Sequence, residues 1–485
     1  MLYNEDKEYN MFKNIKEAER YIEENNVRFI DLKLVDLRGR FRHLVIPAER
    51  LNEKLMRDGV GFDASNYGYA SVEKSDMVFY PDLESAFIEP FSNISTLCMM
   101  ANVCVIEKEE NRPFDQYPRN VIKAAVGYMK ESGIADEMIV GPEYEFSLFD
   151  AMNYKIAADE VSSRLYSQES EWSSKAEGSN GYHNQGRDGY HIDQPRDVFF
   201  DLRNEICELM ADAGIRVKYH HHEVGGSGQM EIEVELGEVC KLADDTMKAK
   251  YLIRNAASRE GYTATFMPKP IGSEAGNGMH VHMILKKNGR NLFYEKGRYG
   301  DLSKEAMYFI GGLLKHSASL CAFCDPSTNS YRRLVPGFEA PVTIGYASAN
   351  RSAIVRIPSY AKSEDAVRFE LRSPDATCNP YYAFAAILMA GIDGIVNKID
   401  PKDHNWGPFD LNLYDLSKEE KEKLEHLPAS LTEAVEALKN DHEYLLRGNV
   451  FSRQLIHNWI DTIEKENKEV EKIPHPAEFK LYYDL

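Results

Sequence analysis

Between Lys218 and Glu235 the chain reads KYHHHEVGGSGQMEIEVE, with carboxylates at Glu223 and Glu231. Along a straight strand rising about 3.3 Å per residue these two would lie roughly 26 Å apart and could share nothing. Gly225, Gly226 and Gly228 supply the backbone freedom for a tight reversal between them. A hairpin centred on Ser227 sets Glu223 opposite Glu231, where cross-strand neighbours are about 5 Å apart. His221 shares the parity of Glu223 and faces the same side of its strand. The same i, i+2 pattern recurs in GPEYEF at 141–146 (Glu143, Glu145), in GNGMHVH at 276–282 (His280, His282) and in RFELR at 368–372 (Arg368, Glu370, Arg372). Ionisable groups on strands whose other face is apolar are expensive unless paired or bound to metal. Any one pair also reads as a solvated strand face. Together, five carboxylates and one or two imidazoles suit Mg²⁺ or Mn²⁺, hard ions that favour oxygen.

Arginine is the second theme. Arg332, Arg333, Arg351, Arg356, Arg368 and Arg372 crowd one stretch of an otherwise acidic chain. Guanidinium groups suit carboxylate and phosphate oxygens through paired contacts. Acids for metal and arginines for phosphate point to phosphoryl transfer. Neither G-x-x-x-x-G-K-S/T nor a G-x-G-x-x-G opening a helix is present, so arginines and metal would hold a nucleotide in place of a glycine-rich loop.

The elements that must position these residues follow from periodicity. A helix is expected over 12–26, then a hairpin from Val27 to Pro47 turning at Arg38-Gly39-Arg40, a short helix near Leu55, and a glycine-rich loop over 59–68. Further strands to Glu107 make residues 1–112 a small α+β unit, and Pro118 then opens a new helix in a second, larger unit over 113–485. There a strand (138–150), a long polar stretch (151–197), helices (198–213, 242–260, 304–323) and further strands lead to a mostly helical end. With 485 residues, 43% hydrophobic and 28% charged, the chain is an ordinary globular one. A net charge of −20 argues against a nucleic-acid partner. The first residues are polar and acidic and no apolar run is long enough to span a bilayer, so a cytoplasmic protein without a membrane partner is expected. Seven scattered cysteines make no disulfide framework, and Cys321-x-x-Cys324 reads as a pair of buried thiols.

The motifs FDAS (62–65), GPEYEF (141–146), HHHEV (220–224), GQMEIE (228–233), GNGMHVH (276–282), NSYRRLVPGFEAPV (329–342), NRSAIVRIP (350–358) and RFELRSPD (368–375) resemble glutamine synthetase of the bacterial type I class, over nearly the whole chain. The resemblance implies an α+β fold: an N-terminal β-grasp domain (1–112) and a catalytic domain (113–485) whose curved antiparallel sheet forms half a barrel flanked by helices. It implies a dodecamer of two hexameric rings with active sites between subunits. By the same resemblance Glu145, Glu223 and Glu231 hold one divalent ion (Mg²⁺ or Mn²⁺), and Glu143, His280 and Glu370 a second. Arg333, Arg372, His221 and Gly276 bind glutamate, with Arg351 also touching it. Arg351 and Arg356 neutralise the transferred phosphoryl group, and His282 and Arg368 lie toward ATP. Glu339 closes the site, and Asp63 of a neighbour helps deprotonate ammonium. The implied reaction joins glutamate and ammonia at the expense of ATP.

Some positions depart from the family pattern: Ala64, Asn66, Lys218, Leu236 and Ala275. Ala64 and Asn66 are expected to shrink the acceptor pocket, to which Tyr190 adds a hydroxyl. The alternatives are a γ-glutamyl ligase acting on an organic amine and an inactive regulatory homologue. The stretch 151–197 resembles the insertion of the adenylylated subclass, with Tyr414 in the setting of the modified tyrosine.

Overall fold

The computed structural model describes residues 11–68, 75–173, 181–335, 341–348, 352–410, 417, 419 and 424–482. Helix Ile15–Glu24 is capped by Asn14, whose side chain accepts from Glu17 N at 3.1 Å. The chain then enters a mixed sheet with the strand order Phe41–Pro47, Phe29–Val35, Thr96–Val105, Asp76–Pro81, Val60–Asp63. Phe29–Val35 and Thr96–Val105 run parallel, and the other neighbours on that path antiparallel. Gly39, at φ +74°, makes the hairpin turn between the first two strands. The glycine-rich stretch expected as a loop is only partly one. Val60–Asp63 pairs with Asp76–Pro81, and Ala64 is fully buried in the core behind it.

A buried polar network joins this unit to the rest. Arg119, in helix Pro118–Glu131, donates to both carboxylate oxygens of Asp244 (2.9 and 2.7 Å), to Asp82 (2.8 Å) and to Asn102 (2.7 Å). The Tyr381 hydroxyl completes the shell of Asp244 at 2.6 Å. Stranding one partner of such a network costs about 3–5 kcal/mol, so it ties the N-terminal sheet to three helices of the larger unit.

Among the described residues, the larger unit is built on a ten-stranded sheet. Its main path runs Val217–His222, Gln229–Val234, Glu137–Phe149, Val281–Lys287, Phe369–Leu371, Ala353–Arg356, Thr343–Ala347. All neighbours on it are antiparallel except the last two strands, which are parallel. One face of this curved sheet is covered by helices, among them Val239–Arg259 and Pro380–Asn397, the latter buried from Pro380 to Gly394. The helix expected over 304–323 is two, Lys304–Lys315 and Ser317–Cys324, broken at His316. The His316 ring is held between Asp393 (3.0 Å) and Asp441 (2.7 Å), which fixes the break. Cys321 and Cys324 are free, buried thiols. The polar stretch after Asp150 begins as an outlying hairpin, Ala151–Ile156 with Val161–Tyr166. No helix among the described residues is long and apolar enough to cross a membrane.

Candidate active site

Strand register brings the chemistry-bearing residues into rows on the open face of the sheet. His221, Glu231 and Glu145 stand abreast on three adjacent strands, and Glu233 pairs with Glu143 one step along. On the other side of the central strand, His282, Glu370 and Arg356 form another row. The hairpin register differs from the one expected. His221, not Glu223, opposes Glu231, and Glu223 N donates to Gln229 O at 2.8 Å. The turn is therefore centred on Gly226. Of its glycines only Gly228 has positive φ (+76°), where a Cβ would meet Leu148 O at 2.1 Å. A shift of two keeps the parity, so Glu223 and Glu231 still share a face. His221 lies between them, Nδ1 3.5 Å from Glu223 and Nε2 3.8 Å from Glu231.

The hairpin is held from below by the polar insertion. Glu169, wholly buried, accepts from Gly228 N (2.6 Å) and contacts His222 Nε2 (3.0 Å). Nothing in the sequence pattern singled out Glu169. Gln229, also missed, was legible by parity with Glu231, and its amide reaches Gly276 O at 2.9 Å.

These elements enclose a cavity of about 200 Å³ lined by Glu143, Glu145, His221, Glu223, Glu231, His280 and Glu370 together with Arg333, Arg356 and Arg372. Tyr190, Tyr219, Gln229, Ala275, Gly276 and Tyr360 also line it. Arg333 donates to the carbonyls of Ser373 (2.6 Å) and Arg372 (3.0 Å), which fixes a guanidinium that is only 3% exposed. Glu370 lies 3.0 Å from Arg356 Nη1 and 3.1 Å from Arg372 Nε.

Glu143 takes both imidazoles, His280 Nδ1 at 2.8 Å and His282 Nε2 at 2.9 Å. Arg368 Nε donates to His282 Nδ1 (3.3 Å), so that nitrogen is the acceptor and Nε2–H points at Glu143. His282 and Arg368 thus lie behind the cavity wall. For His280, donation from Nδ1 leaves the Nε2 lone pair to face the cavity, the arrangement by which a carboxylate sets a metal-binding imidazole. Burial raises the Glu143 carboxyl, but the hydrogen bonds from the two histidines outweigh it and hold it well below the usual range.

Glu231 is the opposite case. Burial, and then the charges of Glu143, Glu145 and Glu223, push its carboxyl well above the usual range. His221, Glu223 and Glu231 place potential ligand atoms within 4.8 Å of one another; Glu143, His282 and Glu370 do so too, but both nitrogens of His282 are already engaged, by Arg368 and Glu143. Crowded, buried carboxylates facing one cavity fit divalent cations, whose charge removes the repulsion.

Asp63 and Asn66 sit exposed at the edge of the N-terminal sheet, and neither lines this cavity. The Asp63 carboxylate accepts from Ser65 N at 2.9 Å, which lowers its pKa. Ala64 points into the core, so its methyl does not narrow any pocket. Lys218 pairs with the buried Glu233 at 2.5 Å, and Leu236 packs over Gly141, where a Cβ would lie 2.7 Å from its Cδ2. Glu339, Arg351 and Tyr414 lie outside the described residues.

Fold and site together define a two-part protein in which a β-grasp unit precedes a curved antiparallel sheet carrying a carboxylate-lined cavity. Residues 26–106 match the family model described as "Glutamine synthetase, beta-Grasp domain", and residues 115–482 match "Glutamine synthetase, catalytic domain". The chain belongs to the glutamine synthetase family. It is 44% identical over 483 residues to a glutamine synthetase of Frankia alni, covering 98% of this chain and 100% of that one. A protein of Cupriavidus pinatubonensis named 3-hydroxylaminophenol mutase is 40% identical over 479 residues, 98% of this chain and 100% of that one. The solved glutamine synthetase of Plasmodium falciparum superposes with a TM-score of 0.87 at 28% identity, covering 97% of this chain and 99% of that one.

Proposed function

We propose that this chain is a cytoplasmic glutamate–ammonia ligase, joining L-glutamate and ammonia with cleavage of ATP to ADP and phosphate. The observation that carries this reading is the cavity itself, which gathers five carboxylates and the imidazoles of His221 and His280 with Arg333, Arg356 and Arg372. Glu145, Glu223 and Glu231 would hold one divalent ion, and Glu143, His280 and Glu370 a second; Mg²⁺ or Mn²⁺ bound there neutralises phosphate charge. Arg333 and Arg372 receive the glutamate carboxylates, with His221 and Gly276 beside them.

The γ-carboxylate of glutamate is a poor electrophile because oxide would have to leave. Its oxygen attacks the γ-phosphorus of ATP, the bond to the bridging oxygen breaks, and ADP departs. Arg351 and Arg356 spread the charge that develops on the phosphoryl oxygens. Ammonia then adds to the acyl carbon of γ-glutamyl phosphate and phosphate leaves with its electron pair. Asp63 and Glu339 take the protons of ammonium. Closure by Glu339 excludes the water that would hydrolyse the acyl phosphate.

Asp63 does not line the cavity of its own chain, which supports a dodecamer of two hexameric rings in which a neighbour supplies it. In this reading the β-grasp unit is residues 1–112 and the catalytic unit 113–485. Light scattering on the full-length protein is expected to show that assembly; a fully active monomer would refute the shared site.

The mutase name of one relative keeps the chemistry at the acceptor a separate question. Glu223 beside His221 favours a small cationic acceptor at this end of the cavity. With ATP, glutamate and Mg²⁺ supplied, millimolar ammonium should raise phosphate release well above background, and methylamine or ethylamine far less. The reverse order of acceptors would assign the chain to an amine-using γ-glutamyl ligase instead.

A further inference from the structure

A second cavity, of about 420 Å³, lies where the Arg38-Gly39-Arg40 turn of the N-terminal sheet meets the larger unit. Its lining carries Arg38, Arg40, Lys250 and Arg254 and no carboxylate. In a chain of net charge −20 that is a local inversion of sign. Arg38 is offset by Glu466 at 3.0 Å. Among the described residues, neither Arg40, Lys250 nor Arg254 forms an ion pair. Lys250, only 5% exposed, donates to the carbonyl of Ala376 at 2.5 Å. Arg254 lies over the Phe266 ring at 5.1 Å, and Lys250 over the same ring at 5.7 Å.

Four cations of which only Arg38 is ion-paired among the described residues, to Glu466, repel one another. Burial, and then Arg254, push Lys250 down to about 8. An oxyanion would relieve that repulsion and accept from the guanidinium forks and the ammonium together. Thr265, Ser327, Asn329 and Thr377 add hydroxyl and amide groups to the lining. The volume falls within the range of small-molecule sites.

The wall of this cavity is shared with the first one. Asn277 N donates to Pro268 O (2.8 Å) and its amide to Met267 O (2.9 Å), and the neighbouring Gly276 lines the carboxylate cavity. Asn329, which accepts from Lys269 N at 2.6 Å, immediately precedes the helical turn Ser330–Arg333 that carries Arg333.

We propose that this cavity is an effector site for a small polyvalent oxyanion, a dicarboxylate or a phosphate monoester. Its occupancy is read out through the 267–277 segment and Arg333. The effector role, though not the binding, rests on the reading of Arg333 as a glutamate anchor.

The test is calorimetry on the metal-free full-length protein, with succinate and glycerol 3-phosphate as separate probes. One of them should bind saturably, one per chain, and bind at least tenfold more weakly to an Arg40→Gln/Arg254→Gln double variant. Both substituted residues are surface-exposed, so the fold should survive. An Arg356→Gln variant should keep full affinity. Failure of both probes to bind, or a loss confined to Arg356→Gln, would overturn the site, the latter placing the anion in the carboxylate cavity. The bound anion should also shift the apparent KM for glutamate at least twofold in the unaltered protein and not in the double variant. Binding with an unchanged KM would remove the effector role and leave the function proposed above intact.

Discussion

Glu370→Gln should cost at least a thousandfold in the rate of phosphate release, about 4 kcal/mol of barrier at roughly 1.4 kcal/mol per factor of ten. The residue is 1% exposed and its carboxylate touches Arg356 (3.0 Å), Arg372 (3.1 Å) and His282 (3.4 Å). The amide keeps the shape and an acceptor oxygen but removes the charge that two guanidinium groups share. It also takes one anionic ligand from the proposed second ion. Loss of a counter-charge at a buried cluster should lower the stability of the metal-free protein by about 3 kcal/mol. Scanning calorimetry and a single-turnover phosphate assay separate the two effects. An unchanged rate in a destabilised protein would make Glu370 a purely structural partner of the arginines.

The stabilisation given by Mg²⁺ or Mn²⁺ should grow as pH rises above the ordinary glutamate value, and Glu231→Gln should abolish that growth. The Glu231 carboxyl lies well above its ordinary value of 4.5 because burial and three neighbouring carboxylates oppose its charge. The folded state therefore holds a proton that the unfolded state releases. Its contribution to stability is present below about pH 4.5 and is lost as pH rises through the folded value, with a slope of about 1.4 kcal/mol per pH unit at most. A divalent ion replaces that proton and restores what was lost. In the metal-free protein the glutamine variant should be the more stable form once pH exceeds the folded value of Glu231, since it no longer ionises. Thermal midpoints measured with EDTA and with metal across this range decide it. A metal-induced shift that is flat with pH would mean that Glu231 is not displaced from its proton by the ion.

Much of the site was legible because strand parity is a strict rule. Glu143 with Glu145 and Glu370 with Arg372 share faces however the strands are shifted by two. That tolerance also leaves the register of the 217–234 hairpin open in the sequence. Glycine count marked a turn, but which glycine sits at the centre depends on contacts from Leu148, Gln185 and Glu169, which lie far away in sequence. Parity is equally silent about depth. His280 and His282 look equivalent in the motif, yet one faces the cavity and the other is wedged between Glu143 and Arg368. The motif around Ala64 suggests a pocket residue, whereas its burial is decided by the sheet behind it. The break at His316 was hidden because the helical apolar pattern runs straight through it, and only the acids of distant helices reveal it.

The insertion after Asp150 looks like an appendage, since its outer hairpin is exposed and its composition is polar. Glu169 and Ser170 make it a keystone. The first holds Gly228 and His222, and the second sets its hydroxyl 2.5 Å from that of Ser227. Anyone trimming this chain for a smaller catalyst therefore has a cut line. The residues outward of Tyr166 can be shortened to a tight loop, because Asp150 N already bridges to Tyr166 O at 2.8 Å and closes the stem. A deletion that continues past Ser167 would pull the pin from the 217–234 hairpin while leaving Glu223 and Glu231 in the sequence.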